Sequence, residues 1–375
     1  MIYKKFKDLE LSALGMGCMR LPVKDGKETC IDEEEAARML DYALSHGVNY
    51  IDTAWGYHGG QSEIVMGKLL AKYPRESYYL ADKFPGYDVS NLGKVAEIFE
   101  KQLEKTGMEY FDFYLVHNVC ELNIDGYLDP ANGILEYLLK QKENGRIRHL
   151  GFSVHGTFDT MMRFMGVYGP YMEFCQVQLN WIDWEFQDAK AKVEYLNARN
   201  IPVWVMEPLR GGSLVKLADD NTARLRELRP DESLAGWAFR FLETVPGVTV
   251  VLSGASNFDQ MAENIKTFET SEPLNEMEWE TLITMARQMT GGVPCTSCRY
   301  CTAHCPQDID IPFMISLYNE HTYSGGGFIA PMALSSLPAD RRPSACIGCQ
   351  SCEAVCPQQI KISEVMADFA DKLKM

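Results

Sequence analysis

Eight times between residue 13 and about residue 270, a short apolar run is followed by a longer segment whose apolar positions recur at helical spacing. The runs are "ALGMGCM", "NYIDTAW", "YYLADKF", "FDFYLVHN", "IRHLGFSVH", "EFCQVQLN", "IPVWVMEPL" and "VTVVLSGAS". Each is apolar on nearly every position, which suits strands of a parallel sheet covered on both faces by helices. Eight such β/α units predict a (β/α)8 barrel. The competing doubly wound sheet would place a Gly-rich phosphate turn after its first strand, but the "RLPVKDGKET" that follows Met19 has no GxGxxG. The opening "MIYKKFKDLEL" reads as a short hairpin able to plug the barrel floor.

A chain of 375 residues is long for one domain and suits a large one with a smaller companion. A change in composition at "MTGGVP" sets the expected boundary: residues 1–290 form the barrel and residues 291–375 a small, mainly α-helical, cysteine-rich domain. No apolar stretch approaches the twenty residues of a membrane span. The net charge of −16, with no Lys/Arg cluster, repels nucleic acid and anionic lipid, so neither is an expected partner. The first residues carry no apolar leader core, which leads us to expect a cytoplasmic protein in which structural disulfides are rare.

Polar residues stand where three successive strands end. Asp52 closes "NYID", Lys83 closes "YYLADK" and His117 closes "FDFYLVH", while Tyr57 lies in the loop after the second strand. In a barrel these ends share the face where the chemistry of this fold is found. A buried lysine there needs a partner, and Asp52 is placed to supply one. The ammonium is expected to stabilise a Tyr57 phenolate and draw its pKa toward neutrality, making Tyr57 a proton donor. His117 is placed to donate a hydrogen bond to a carbonyl oxygen as charge grows on it.

These residues carry a resemblance. "GVNYIDTAWGYHGGQSEIVMGKLL" and "FDFYLVHN" resemble the signature stretches of the aldo-keto reductase superfamily, and the likeness runs from residue 1 to about 290. It implies a TIM barrel, an Asp52–Tyr57–Lys83–His117 tetrad with Tyr57 as general acid, and NADP(H) or NAD(H) extended across the bowl. By the same resemblance Ser153, Gln176 and Met206 meet the nicotinamide end. Ser253, Gly254 and Ser256 meet phosphate or ribose, and Gln260, Glu263 and Asn264 meet adenosine. A helix starting at Asn257 would offer its amides to the phosphate. Two positions depart from the family pattern. Val154 replaces an asparagine common after the serine, and Met206 replaces a stacking tyrosine. Lys and Arg are absent from "SGASNFDQ", and the two dinucleotides both remain open.

The tail holds two runs of the form C-x2-C-x2-C-x3-C-P: Cys295, Cys298, Cys301 and Cys305, then Cys346, Cys349, Cys352 and Cys356. This is the bacterial ferredoxin spacing. Three thiolates on a tight loop meet three corners of a cubane and a distant fourth reaches a second. Zinc prefers paired C-x2-C knuckles and would leave cysteines over. Two [4Fe–4S] clusters are therefore expected. If ligands exchange as in two-cluster ferredoxins, Cys356 joins Cys295, Cys298 and Cys301, and Cys305 joins Cys346, Cys349 and Cys352. Only the cysteine runs read as a repeat. Cys18, Cys30, Cys120 and Cys175 are expected to be packed, inert thiols.

The expected activity is interconversion of a small-molecule carbonyl and an alcohol, with clusters that either pass electrons to a one-electron partner or staple the small domain. The rival is an electron-transfer or adaptor protein whose barrel binds cofactor but no longer reduces carbonyls.

Overall fold

A computed structural model describes residues 1–295 and 298–375. The chain divides into two compact units, Met1–Ile283 and Thr284–Met375.

In the first unit, β1 (Tyr3–Phe6) and β2 (Leu9–Ser12) pair as an antiparallel hairpin. Eight parallel strands follow: β3 (Leu14–Gly17), β4 (Tyr50–Asp52), β5 (Tyr79–Phe84), β6 (Phe111–Val119), β7 (Ile147–Val154), β8 (Cys175–Gln178), β9 (Val203–Met206) and β10 (Val248–Ser253). They pair in sequence order, and β10 closes on β3 through Val251↔Leu14 and Ser253↔Met16. All eight expected strands and the closed barrel are present. The helices are amphipathic with their apolar stripe inward, as in Glu33–Ser45, which buries Ala36, Met39, Leu40 and Ala43.

The hairpin plugs the floor as expected. Phe6 is buried among Phe113, Phe174 and Trp204, its ring centroid 5.6 Å from that of Phe113 and 5.2 Å from that of Trp204. Room for this aromatic layer comes from small residues in the staves. A Cβ on Gly151 would stand 2.5 Å from the Phe174 ring. Glu173 fastens the plug from outside the layer. It pairs with Lys7 of the hairpin, with Lys142, and with His149 at 2.9 Å. With the lower end filled, the open end of the barrel is the one where β4, β5 and β6 terminate.

The second unit packs the helices Ile311–Ser324, Ile329–Ser335 and Ile362–Leu373 around Ile309, Met314, Ile315, Leu334, Ile360, Met366 and Phe369. The expectation that only the cysteines repeat is corrected here. "CPQDIDI" recurs as "CPQQIKI" 51 positions on, and each copy leads into a helix. Ile309 and Ile311 in one copy, and Ile360 and Ile362 in the other, are all buried. The left-handed backbone at Arg299 and Asp308 returns at Gln350 and Gln359, again 51 positions on. The unit is therefore two copies of a loop-plus-helix module that share one core.

Candidate active site

The strand ends bring their polar side chains together around one ammonium. β4 pairs with β5 so that Asp52 is opposite Ala81, and Lys83 reaches the same face from two residues further along β5. Lys83 Nζ donates to Asp52 Oδ1 at 2.6 Å, to the Thr53 carbonyl at 2.7 Å and to the Tyr57 hydroxyl at 3.3 Å. Lys83 is fully buried and Asp52 nearly so. Burial works against the charge on Lys83, but the Asp52 carboxylate and the Tyr57 hydroxyl outweigh it and hold its pKa above the ordinary lysine value.

Tyr57 is delivered by a tight turn. His58, Gly59 and Gly60 adopt φ of 54°, 62° and 88°, a sharp left-handed reversal that suits the two glycines. His58 is the pin of this turn and not a metal ligand. Its Nε2 accepts from the Leu21 amide at 3.1 Å, and its Nδ1 lies 2.7 Å from the Glu28 carbonyl.

One expectation is overturned. The Tyr57 hydroxyl does not drift toward neutrality: burial pushes its pKa up to about 12, and Lys83 only partly opposes that. A charge in a dry pocket costs more than one neighbouring cation returns when Asp52 already neutralises that cation. His117 is neutral as well, because burial and then Lys83 hold its pKa well below the usual histidine value. Its ring centroid stands 6.1 Å from that of Tyr57, and its Nδ1 has no hydrogen-bond partner among the described residues.

A cleft of about 580 Å³ opens above this group. Asp52, Tyr57, Gln176, Met206, Ser253, Gly254, Ser256, Gln260, Glu263 and Asn264 all line it, so the expected residues converge on one space. Lys83, His117 and Ser153 are not in its wall. Ser153 is buried, and its hydroxyl accepts from the Asn118 amide at 2.7 Å, leaving it a strand-end clamp. Gln176 donates to Met206 Sδ at 3.5 Å while its own carbonyl oxygen is buried without a partner among the described residues. An amide N–H presented from the cleft would satisfy that oxygen.

The expected offer of helix amides is reduced by the chain's own side chains. Phe258 N donates to Glu35 Oε1 at 3.1 Å, Gln260 N to Asn257 Oδ1 at 3.0 Å, and Ser256 N to Gln260 Oε1 at 2.8 Å. Three amides around this helix start are thus already engaged by the chain's own side chains. Asn264 likewise spends its amide on Ser253 Oγ at 3.0 Å.

Several contributors carried no signal in the linear sequence. Arg20, Arg226, Glu232 and Trp237 reach the cleft from separate loops and helices that only barrel closure brings together. Tyr87, from the loop after β5, sets its ring edge-on to His117 at 5.2 Å. Behind Lys83 lies a buried carboxyl pair. Gln102 Nε2 donates to Asp82 Oδ1 at 2.8 Å, to Glu63 Oε1 at 3.0 Å and to the Lys83 carbonyl at 3.0 Å, and Lys105 pairs with Glu63. Burial and the Glu63 charge raise the Asp82 pKa well above the carboxylate range. This knot ties the Lys83 strand to the two helices outside it.

In the second unit, Cys295, Cys298, Cys301 and Cys356 line one small void together with Pro312, Ile315, Ile360 and Ile362. Cys346 and Cys305 act on Cys352 as Cys295, Cys298 and Cys356 act on Cys301. Among the described residues no three potential ligands converge on a single-ion site. Four thiols ringing an apolar void fit a polyatomic iron–sulfur cluster, which keeps its ligands apart. Of the other cysteines, Cys18, Cys120 and Cys175 are buried, whereas Cys30 is exposed, contrary to expectation. It sits in a turn closed by the Val23↔Ile31 bridge.

Comparison with known proteins follows the same division. The model of the aldo/keto reductase family matches residues 13–286, and that of a 4Fe-4S dicluster domain matches residues 294–361. An uncharacterized oxidoreductase of Bacillus subtilis is 24% identical over 75% of this chain and 94% of its own length. The NADH-specific methylglyoxal reductase of Escherichia coli is 27% identical over 38% of this chain and 48% of its own. Among solved structures, the holo form of an aldo-keto reductase from Bacillus halodurans superposes with a TM-score of 0.62 at 26% identity, covering 76% of this chain and 96% of that one. An aldo/keto reductase from Klebsiella pneumoniae in complex with NADP and acetate gives 0.61 at 19% identity, covering 75% and 93%. No helix among the described residues is long and apolar enough to cross a membrane.

The buried pair yields a sharp expectation. Lys83→Met strands the Asp52 carboxylate and is expected to cost about 3–5 kcal/mol in denaturant unfolding. Adding Asp52→Asn should recover much of that loss. A double variant no more stable than the single one would show that the two charges are not coupled.

Proposed function

The chain belongs to the aldo/keto reductase family, an oxidoreductase family, and from that premise we propose that its barrel interconverts a small carbonyl compound and an alcohol, with Tyr57 as general acid. The observation that carries this is the Tyr57 hydroxyl, 3.3 Å from an ammonium balanced by Asp52, at the floor of a cleft of about 580 Å³. A reduced nicotinamide dinucleotide, NADPH or NADH, supplies the hydride when bound. Gln176, with its carbonyl oxygen unpartnered among the described residues, would hold the carboxamide, and Ser253, Gly254, Ser256, Gln260, Glu263 and Asn264 would hold the remainder. Met206, which accepts from Gln176 and lines the cleft, would pack against the nicotinamide. Ser153 acts one step behind, by fixing the Asn118 backbone.

Tyr57 donates its proton to the carbonyl oxygen as that oxygen gains charge. Lys83, held protonated, stabilises the phenolate left behind. A neutral His117 has one ring N–H, and it orients and polarises the same oxygen. The raised Tyr57 pKa suits donation, because the hydroxyl keeps its proton throughout the neutral range. The reverse oxidation needs the phenolate, and a bound oxidised nicotinamide, being cationic, would favour it. An intact tetrad speaks against a barrel that only binds cofactor.

In the tail, residues 291–375, we assign one [4Fe–4S] cluster to Cys295, Cys298, Cys301 and Cys356, and the other to Cys346, Cys349, Cys352 and Cys305. The barrel, residues 1–290, would then be joined to a one-electron centre that serves an external redox partner.

Tyr57→Phe is expected to lower carbonyl reduction by about 10²–10⁴-fold. The wild-type reduction rate should stay flat between about pH 6 and 9, since the donor remains protonated below its pKa of about 12. Alcohol oxidation should rise with pH in the same window. Steady-state rates in both directions check this, and a reduction rate that Tyr57→Phe leaves unchanged removes the general acid. Cys301→Ser is expected to remove about half of the iron, because it dislodges one cluster of two. Iron analysis showing no loss would contradict the ligand assignment.

A further inference from the structure

A nicotinamide within hydride reach of a carbonyl bound at Tyr57 must lie over Asp52, Tyr57 and Gln176. The rest of the dinucleotide then follows the cleft to its other wall, where β10 ends and the helix Phe258–Thr267 begins. From the charges at that wall we infer that the far end of the cleft takes a ribose 2′-hydroxyl and rejects a 2′-phosphate, so that the barrel uses NADH in preference to NADPH. The inference rests on the placement of a reduced nicotinamide dinucleotide in this cleft.

A 2′-phosphate brings close to two further negative charges and needs cations or unengaged amides. The segment from 253 to 265 contains no lysine or arginine, and the charged side chain it sends into the cleft wall is Glu263. The helix start is a poor substitute, because two of its first three amides are engaged. Phe258 N is held by the Glu35 carboxylate and Gln260 N by Asn257. Glu35 thus already occupies a position where a phosphate oxygen would be welcome. A cation beside that helix, Arg38, is already engaged. The Arg38 guanidinium lies 3.3 Å from Glu35 and stacks 4.0 Å from the Phe258 ring centroid. A ribose hydroxyl meets no such obstacle, because it can donate to a carboxylate, as it does at the NAD sites of doubly wound sheets.

Two arginines do line the cleft. Arg20 runs past Gly254 and Gly211: its Cβ lies 3.2 Å from where a Gly254 Cβ would stand, and its Nη2 lies 3.7 Å from the equivalent point on Gly211. That mid-cleft position suits the pyrophosphate, which both dinucleotides share, so Arg20 does not discriminate. Arg226, on the helix Asp219–Leu228, is the residue that a 2′-phosphate would have to recruit.

The test is equilibrium binding of NADH and of NADPH to the full chain, followed by fluorescence of the reduced nicotinamide at low and moderate salt. We expect NADH to bind at least about tenfold more tightly, with the gap narrowing as salt screens the repulsion. Glu263→Gln should narrow the gap from both sides, weakening NADH by removing the carboxylate that accepts from the 2′-hydroxyl and strengthening NADPH by removing the repelling charge. Arg226→Ala should leave the ratio unchanged. NADPH binding as tight as NADH or tighter, or an Arg226→Ala variant that selectively loses NADPH, overturns the preference and leaves the dinucleotide assignment standing. Binding of neither dinucleotide overturns the assignment, and the preference falls with it.

Discussion

An ammonium sealed from water has to be balanced where it stands, and the Asp52 carboxylate at 2.6 Å balances Lys83. The rest of the barrel follows from keeping that pair in place. Closure of eight strands sets Asp52 and Lys83 on adjoining staves, and the Phe6 plug fills the floor beneath them. The knot of Glu63, Asp82 and Gln102 ties the Lys83 strand to the surrounding helices. Asp52 and Tyr57 are both hydrogen-bonded to Lys83 and line the cleft, and of the two Tyr57 brings the hydroxyl proton. The chemistry proposed for it is a consequence of where the cation could be afforded a partner.

The second unit solves a different problem of like charges. Burial pushes the Cys301 and Cys352 thiols up to about 11 each, and repulsion from the neighbouring thiols adds to that. Iron supplies the positive charge the arrangement lacks. The repeated module explains why the cysteine run occurs twice. Each copy brings three cysteines on its loop, then a Cys-Pro step and a pair of buried isoleucines that lead into a helix.

Much of this was legible in the linear chain, because strand-length apolar runs and helical spacing are local signals. So were the polar residues at strand ends, since Asp52, Lys83 and His117 interrupt runs that are otherwise apolar. What escaped depends on three-dimensional company. The pKa of Tyr57 goes up instead of down because desolvation, which depends on the packed fold, exceeds the pull of Lys83. Arg20 and Arg226 join one cleft from stretches some two hundred residues apart. The amide of Phe258 was spent on Glu35, a residue from the opposite end of the barrel sequence. The 51-position repeat in the tail was visible in "CPQDIDI" and "CPQQIKI" but lay in the shadow of the cysteines beside it.

The account turns on hydride, and not single electrons, leaving the nicotinamide above Tyr57. The most direct test follows the label from a reduced dinucleotide carrying deuterium at C4 during anaerobic turnover with a carbonyl acceptor. The account predicts deuterium bound to the former carbonyl carbon of the product alcohol. Alcohol formed without the label, while the iron–sulfur clusters become reduced, would contradict it.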